Sequence, residues 1–153
     1  MMTPSSDAQD RLGKLLALTG DAALVSSERK TRRILVVEDE PEIQRLIEWI
    51  LSLEGMEVEL AGNGKEAILK LTETPSSALP DLILLDLLMP ILNGSEFLEW
   101  KRRSSPAIRD VPVIITTGVS APNLVQNCDV AGVLQKPISA DLLIRKIRQT
   151  LPL

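Results

Sequence analysis

The chain has 153 residues, 44% of them hydrophobic, which suits one domain with a sizeable core. Its net charge is −4 with both signs interspersed, which argues against direct binding of nucleic acid. The absence of histidine excludes His-based catalytic triads, imidazole metal sites and a phosphohistidine carrier. The single cysteine, Cys128, excludes an internal disulfide and fits a reducing compartment. With no signal-peptide pattern and no apolar run of transmembrane length, we expect a cytoplasmic protein without membrane insertion.

Residues 1–31 differ in composition from the rest of the chain. They are rich in Ser, Asp, Lys and Arg, with an apolar patch at Leu12, Leu15 and Leu16. Those leucines have helical spacing, but so short a helix is marginal without a surface to pack on. The basic cluster ERKTRR (28–33) fits a nucleic-acid patch or a solvated linker, and we favour the linker. We therefore predict a flexible or partly helical N-terminal extension over 1–31 and one domain over 32–153.

Short apolar runs then alternate with segments of helical periodicity. Strands are predicted at 34–37, 56–61, 81–88, 111–117 and 132–136, and helices at 40–55, 64–74, 94–104 and 139–151, with Ser139 as an N-cap. Runs such as ILVV and VIITT are apolar at consecutive positions, as burial on both faces of a parallel sheet requires. The pattern predicts an α/β, doubly wound five-stranded parallel sheet of flavodoxin-like order 2-1-3-4-5. Between the last two strands, SAPNLVQNCDVAG with Pro122 is a poor helix, so we expect a shortened or irregular fourth helix there.

Polar residues follow the buried strands at the edge where such sheets bind ligands. Glu38 and Asp39 follow the first strand, Asp86 lies near the end of the third, Thr117 ends the fourth and Lys136 ends the fifth. Close carboxylates repel by roughly 4 kcal/mol per pair at about 4 Å and an effective dielectric of 20. A divalent cation reverses that sign, and an all-oxygen site suits Mg²⁺. With an ammonium and a hydroxyl nearby, the residues suit a phosphoryl group.

Each of these residues also has an ordinary structural explanation. Asp39 could cap the first helix, with Glu42 completing a capping box. Thr117 and Lys136 could be turn residues at strand ends. Asp86 is hardest to explain in this way, because its neighbours are nearly all core-forming and an unpaired buried charge is costly. The occurrence of all of them along one sheet edge favours the functional interpretation.

The segments ILVVEDEPEI, DLILLDLLMPILNG, PVIITTG and LQKPI occur in an order and spacing that resemble response-regulator receiver domains of two-component signalling, from about residue 32 to 152. The resemblance implies that Asp86 is the phosphoacceptor. It implies that Mg²⁺ is held by Glu38, Asp39, Asp86 and the backbone carbonyl of Leu88.

The same resemblance implies that Thr117 and Lys136 contact the phosphoryl oxygens and that a cis peptide bond precedes Pro137. The donor would be a phosphohistidine on a histidine kinase or a histidine phosphotransfer protein. The chain would catalyse only its own phosphoryl transfer and dephosphorylation. Because the sequence ends soon after the last helix, we expect a receiver without an output domain that acts on a downstream protein target or by onward phosphotransfer. Homodimerisation is left open.

The sequence departs from the family pattern in three respects: the fifth strand, the weak fourth helix, and the end of the sequence soon after the last helix. The aromatic residue usual in the fifth strand is replaced by Val133, so we expect switching to follow a different or a weaker packing change. Leu88 and Val119 occupy positions where side chains influence hydrolysis in this family, and both are apolar. Neither can orient a water molecule, so we hypothesise a long-lived aspartyl phosphate.

Three other functions fit the sequence less well. A phosphorylation-independent interaction module on the receiver fold is favoured by Val133 and by the weak fourth helix, but opposed by the intact acidic residues. An aspartate-nucleophile phosphatase would need a second Asp at position 88, which is Leu. A P-loop is excluded, because Glu66 follows Gly64-Lys65 and position 59 is Glu.

Overall fold

The computed structural model describes residues 31–118 and 129–152. The described residues from Arg32 onward belong to one compact unit. The predicted extension lies almost wholly outside the described residues, as do Cys128 and the segment with the predicted irregular helix. Those expectations stay predictions.

Five parallel strands form one sheet, as the alternating pattern predicted. They are β1 (Arg33–Val37), β2 (Glu57–Ala61), β3 (Leu82–Asp86), β4 (Val113–Thr117) and β5 (Gly132–Gln135). Their order is β2-β1-β3-β4-β5, so the predicted doubly wound arrangement is confirmed. The chain leaves β1 toward β2 on one side and reaches β3 on the other, which makes the carboxyl ends of β1 and β3 the topological switch point.

Helices connect the strands within the described ranges. They are α1 (Pro41–Leu53), α2 (Gly64–Glu73), α3 (Gly94–Arg102), the single turn α4 (Pro106–Arg109) and α5 (Ala140–Thr150), with a 3₁₀ turn at Ser76–Ala78. The predicted N-cap of α5 is confirmed, since the Ser139 side chain accepts a hydrogen bond from the amide of Leu142. The turn α4 was not predicted. Among the described helices, none is both long and apolar enough to cross a membrane.

Two apolar clusters explain why the central strands β1, β3 and β4 are apolar at consecutive positions. In β1, Ile34 and Val36 pack on the face covered by α1 and α5. The intervening Leu35 and Val37 pack on the opposite face, against α2 and α3. Successive side chains of a strand point to opposite faces, so a central strand covered on both sides has no polar face. In β1, β3 and β4, polar residues are therefore confined to the strand ends.

Candidate functional site at the carboxyl edge of the sheet

The strand ends bring the predicted site residues to one edge of the sheet. Glu38 directly follows β1, Asp86 is the last residue of β3, Thr117 is the last residue of β4 and Lys136 directly follows β5. β1, β3, β4 and β5 are consecutive neighbours in the sheet. The sheet therefore gathers residues that are up to 98 positions apart in the chain.

Three carboxylates converge at this edge. Glu38, Asp39 and Asp86 each place an oxygen within 4.8 Å of the others. Glu38 and Asp86 are almost fully buried, with 1% and 3% of their surface exposed, whereas Asp39 is partly exposed. Two acids are thus withdrawn from solvent beside a third, an arrangement that is unfavourable unless positive charge is supplied.

Lys136 supplies one positive charge. Its Nζ lies 3.0 Å from Oε2 of Glu38 and 3.2 Å from Oδ2 of Asp86. It donates hydrogen bonds to Oε1 of Glu38 and to Oδ2 of Asp86, both at 3.2 Å. With every group ionised, three carboxylates against one ammonium leave two negative charges uncompensated.

The pKa values reflect this balance. Burial raises the pKa of Glu38, the charge of Asp86 raises it further, and the hydrogen bond from Lys136 opposes both. For Lys136, burial lowers the pKa, but the two carboxylates outweigh burial and the pKa is raised overall. The ammonium of Lys136 therefore stays charged, while Glu38 is harder to ionise than an ordinary glutamate because its pKa is raised.

One buried oxygen has no hydrogen-bond partner. Oε2 of Glu38 is close to the ammonium of Lys136, yet it receives no hydrogen bond of acceptable geometry. Buried polar atoms without partners are uncommon and point to an additional ligand. Together with an all-oxygen donor set and two surplus negative charges, this atom fits the predicted Mg²⁺.

Asp86 is held in a fixed orientation. Its Oδ1 accepts a hydrogen bond from the amide of Leu88 at 3.2 Å, and its Oδ2 accepts one from Lys136. The side chain of Leu88 is 57% exposed. The predicted use of the Leu88 carbonyl as a ligand stays a prediction.

Thr117 and Lys136 are coupled through the backbone. The amide of Lys136 donates to the carbonyl oxygen of Thr117 at 2.7 Å, and Thr117 is buried. The cis peptide bond expected before Pro137 is confirmed. The hydrogen bond between Lys136 and Thr117 holds the lysine at the end of β5 directly beside the end of β4.

The capping role considered for Asp39 is wrong. The N-cap of α1 is Glu40, one residue later, and no side-chain hydrogen bond caps this helix. The amide of Glu40 instead donates to Oε1 of Glu38 at 3.3 Å. Because Asp39 does not serve as the helix cap, its place beside Glu38 and Asp86 lacks that structural explanation.

The loop from β3 to α3 shapes the rim of the site, and sequence reasoning missed how tightly it is built. The amide of Gly94 donates to the carbonyl of Leu87 at 3.0 Å, and a Cβ on Gly94 would lie only 2.7 Å from the carbonyl oxygen of Asp86. Glycine at this helix start thus lets α3 approach the carboxyl end of β3. The only available signal was a glycine following Asn93, which caps α3.

The same loop contains a strained residue. Ile91 has φ of 73°, the one positive φ at a non-glycine position among residues 31–118 and 129–152. The amide of Leu92 donates to the carbonyl of Pro90 at 2.9 Å, which closes a γ-turn centred on Ile91. A γ-turn with positive φ is rare, and a β-branched residue in this conformation costs about 1–2 kcal/mol.

The first departure from the family pattern is visible in β5. Val133 is 44% exposed, on an edge strand of the described sheet. A small, half-exposed aliphatic side chain offers little surface for an inward swing. Val119, the second apolar residue linked to hydrolysis, lies outside the described residues.

Comparison with known proteins agrees with this geometry. The family model of the response regulator receiver domain matches residues 34–148. The chain is 32% identical over 135 residues to the CAI-1 autoinducer sensor kinase/phosphatase CqsS of Vibrio cholerae, covering 86% of this chain and 19% of that protein. It is 42% identical over 85 residues to a homolog of the transcriptional regulatory protein CpxR from Haemophilus influenzae, covering 56% of this chain and 34% of that protein. The chain thus spans only a minor part of these two relatives.

Solved structures show the same fold. The chemotaxis protein CheY4 of Vibrio cholerae superposes with a TM-score of 0.72 at 27% identity, covering 80% of this chain and 100% of that one. The signal receiver domain of a histidine kinase from Syntrophus aciditrophicus gives a TM-score of 0.70 at 32% identity, covering 79% and 90%. The family match extends over β1 to α5 and includes the whole acidic site. The chain therefore belongs to the family of response regulator receiver domains.

Proposed function

We propose that Asp86 accepts a phosphoryl group from a phosphohistidine carried by a histidine kinase or a histidine phosphotransfer protein in the cytoplasm. A carboxylate oxygen of Asp86 forms the new P–O bond as the P–N bond to the donor imidazole breaks. The electron pair of that bond returns to the imidazole nitrogen. The chain acts only on itself in this scheme, forming and later hydrolysing its own aspartyl phosphate.

The observation that carries the proposal is the excess of buried acid beside one lysine. Three carboxylates within 4.8 Å, with Oε2 of Glu38 lacking a hydrogen bond, do not stabilise the fold. Such strain is expected where charge is reserved for a ligand. The residues Glu38, Asp39 and Asp86 would hold Mg²⁺, with the carbonyl of Leu88 as a further ligand. When bound, this ion supplies neutralisation of phosphoryl charge.

The protein's own groups position the reaction. The amide of Leu88 and the ammonium of Lys136 hold the two oxygens of Asp86 in place, which reduces the entropy lost on reaching the transition state. Lys136 can pass from the carboxylate to a phosphoryl oxygen, because the new group brings negative charge to the atom that it already contacts. The hydroxyl of Thr117, at the adjacent strand end, would contact a second oxygen.

A small phosphodonor tests this directly. The chain is incubated with phosphoramidate, with and without Mg²⁺, and compared with Asp86→Asn by intact mass. We expect a Mg²⁺-dependent phosphoryl adduct on the wild type and none on the variant. An adduct on Asp86→Asn of equal yield would show that another residue is the acceptor.

One observation favours a second candidate, a phosphorylation-independent interaction module. The half-exposed Val133 in β5, in a chain without tyrosine, removes the aromatic residue that usually couples phosphorylation to the surface. Output in either case would pass to a downstream protein target. Absence of an adduct from phosphoramidate and from every histidine kinase tried would favour the interaction module.

A further inference from the structure

Ile91 is unfavourable by two local criteria. Its backbone has a positive φ, which β-branched residues avoid, and its side chain is 76% exposed, so it contributes little to the core. Asparagine or glycine would adopt this backbone conformation at lower cost and would expose less apolar surface to water. An exposed isoleucine in a strained turn therefore calls for an explanation outside the folding of the domain.

The turn is imposed by its surroundings. The carbonyl of Leu92 accepts a hydrogen bond from the amide of Gly64 at 3.2 Å, and a Cβ on Gly64 would lie 2.4 Å from the Leu92 side chain. Leu92 is therefore locked against the start of α2. At the other end of the loop, the amide of Gly94 donates a hydrogen bond to the carbonyl of Leu87. With both flanks fixed, the γ-turn directs Ile91 away from the core.

This loop forms part of the access to Asp86. Asp86 is only 3% exposed. The amide of Leu88 donates a hydrogen bond to Asp86, and the side chain of Leu88 is 57% exposed on the same loop as Ile91. A protein that brings a phosphohistidine to Asp86 must come close to the start of this loop, where the amide of Leu88 contacts the acceptor, whereas a small phosphodonor covers far less surface. The exposed apolar side chains of Leu88 and Ile91 form what we term the apolar rim.

We infer that Ile91, at the outer part of the apolar rim, recognises the phosphodonor protein by contacting an apolar patch next to its phosphohistidine. The inference rests on the proposed function and specifies the chemistry of the partner. Burial of one isoleucine against such a patch is favourable, and the pinned turn reduces the entropy lost when the contact forms. Ile91 is thus a specificity residue that takes no part in the chemical step.

The test compares two donors on the variant Ile91→Asn. Asparagine tolerates the positive φ, so the fold is retained and thermal stability should be equal to or above that of the wild type. Phosphorylation by phosphoramidate should stay within about twofold of wild type, because the small donor does not touch Ile91. Transfer from an autophosphorylated histidine kinase core, chosen from the source organism as the fastest donor to the wild type, should fall about tenfold or more in kcat/KM.

A matched control is Leu69→Asn on α2, where an exposed leucine lies outside the β3–α3 loop. Its transfer rates should be unchanged with both donors. Wild-type transfer from the kinase to Ile91→Asn would overturn the inference while leaving the proposed function intact. Equal loss with both donors would also overturn it, since Ile91 would then act on the acceptor itself. A wild-type chain that phosphoramidate does not label would instead contradict the proposed function.

Discussion

Replacing Asp86 by asparagine should stabilise the metal-free domain. Glu38 and Asp39 each lie within 4.8 Å of Asp86, and at an effective dielectric of 20 each repels it by about 3.5 kcal/mol, or about 7 kcal/mol together. Lys136, at 3.2 Å, attracts it by about 5 kcal/mol. Repulsion exceeds attraction by about 2 kcal/mol, and the desolvation of the buried carboxylate acts in the same direction.

The assay is urea unfolding in EDTA, with thermal unfolding as a second measurement. We expect Asp86→Asn to raise the free energy of unfolding by about 2 kcal/mol, or the Tm by roughly 8 °C for a domain of this size. The control Asp110→Asn removes an exposed acid whose ion pair with its neighbour Arg109 lies at the surface, and should change stability by less than about 0.5 kcal/mol.

Adding Mg²⁺ should shift the balance of stability from Asp86→Asn toward the wild type. Mg²⁺ stabilises whichever form binds it more tightly, so the wild type should gain more stability than Asp86→Asn as the ion is added. A less stable Asp86→Asn in EDTA would refute the electrostatic account. It would mean that the bond from Lys136 outweighs the repulsion by Glu38 and Asp39.

Three further predictions follow from other contacts. Burial lowers the pKa of Lys101 despite nearby acids, so the unfolded state binds more protons between the lowered pKa and 10.5. Across that range the unfolding free energy of the wild type, relative to that of Lys101→Met, should rise with pH. A difference that does not change with pH would contradict this. Gly94→Ala should destabilise the domain by about 2 kcal/mol in urea unfolding, because the new Cβ would lie 2.7 Å from the carbonyl oxygen of Asp86. The aspartyl phosphate should be long-lived, because apolar Leu88 and Val119 cannot orient a water molecule. Intact mass after removal of the donor in Mg²⁺ measures the loss of the phosphoryl group, and Leu88→Asn should speed that loss several-fold. Rapid loss from the wild type would refute the hypothesis.

The strands and their order could be predicted because their signal is dominated by burial. A run such as LILLD in β3 is apolar at consecutive positions only when both faces of the sheet are covered. The carboxyl edge followed from topology alone, since parallel strands place their ends together. For that reason Glu38, Asp86 and Lys136 could be assigned to one place before any distance was known.

The features that were missed depend on tertiary contacts. The capping motif of Asp39 and Glu42 is a valid local signal, but the helix begins at Pro41, so that Glu40 is its N-cap and no side chain caps it. The γ-turn at Ile91 has no local signal, because isoleucine disfavours it and only the packing of Leu92 against Gly64 enforces it. Sequence propensity is a weak prior wherever the neighbours in space determine the backbone.

Lys136 links the stability of the metal-free domain to its proposed chemistry. In the domain without phosphate its ammonium is shared between Glu38 and Asp86, and this sharing keeps two buried acids tolerable. A phosphoryl group on Asp86 would bring new negative charge to the same position and draw the ammonium away from Glu38. Oε2 of Glu38 already lacks a hydrogen bond and Oε1 would keep only the amide of Glu40, so Mg²⁺ would be needed to compensate the charge of that acid. Phosphorylation and metal binding should therefore reinforce each other. The phosphoryl group draws the ammonium of Lys136 away from Glu38, and Mg²⁺ replaces the positive charge that Glu38 loses.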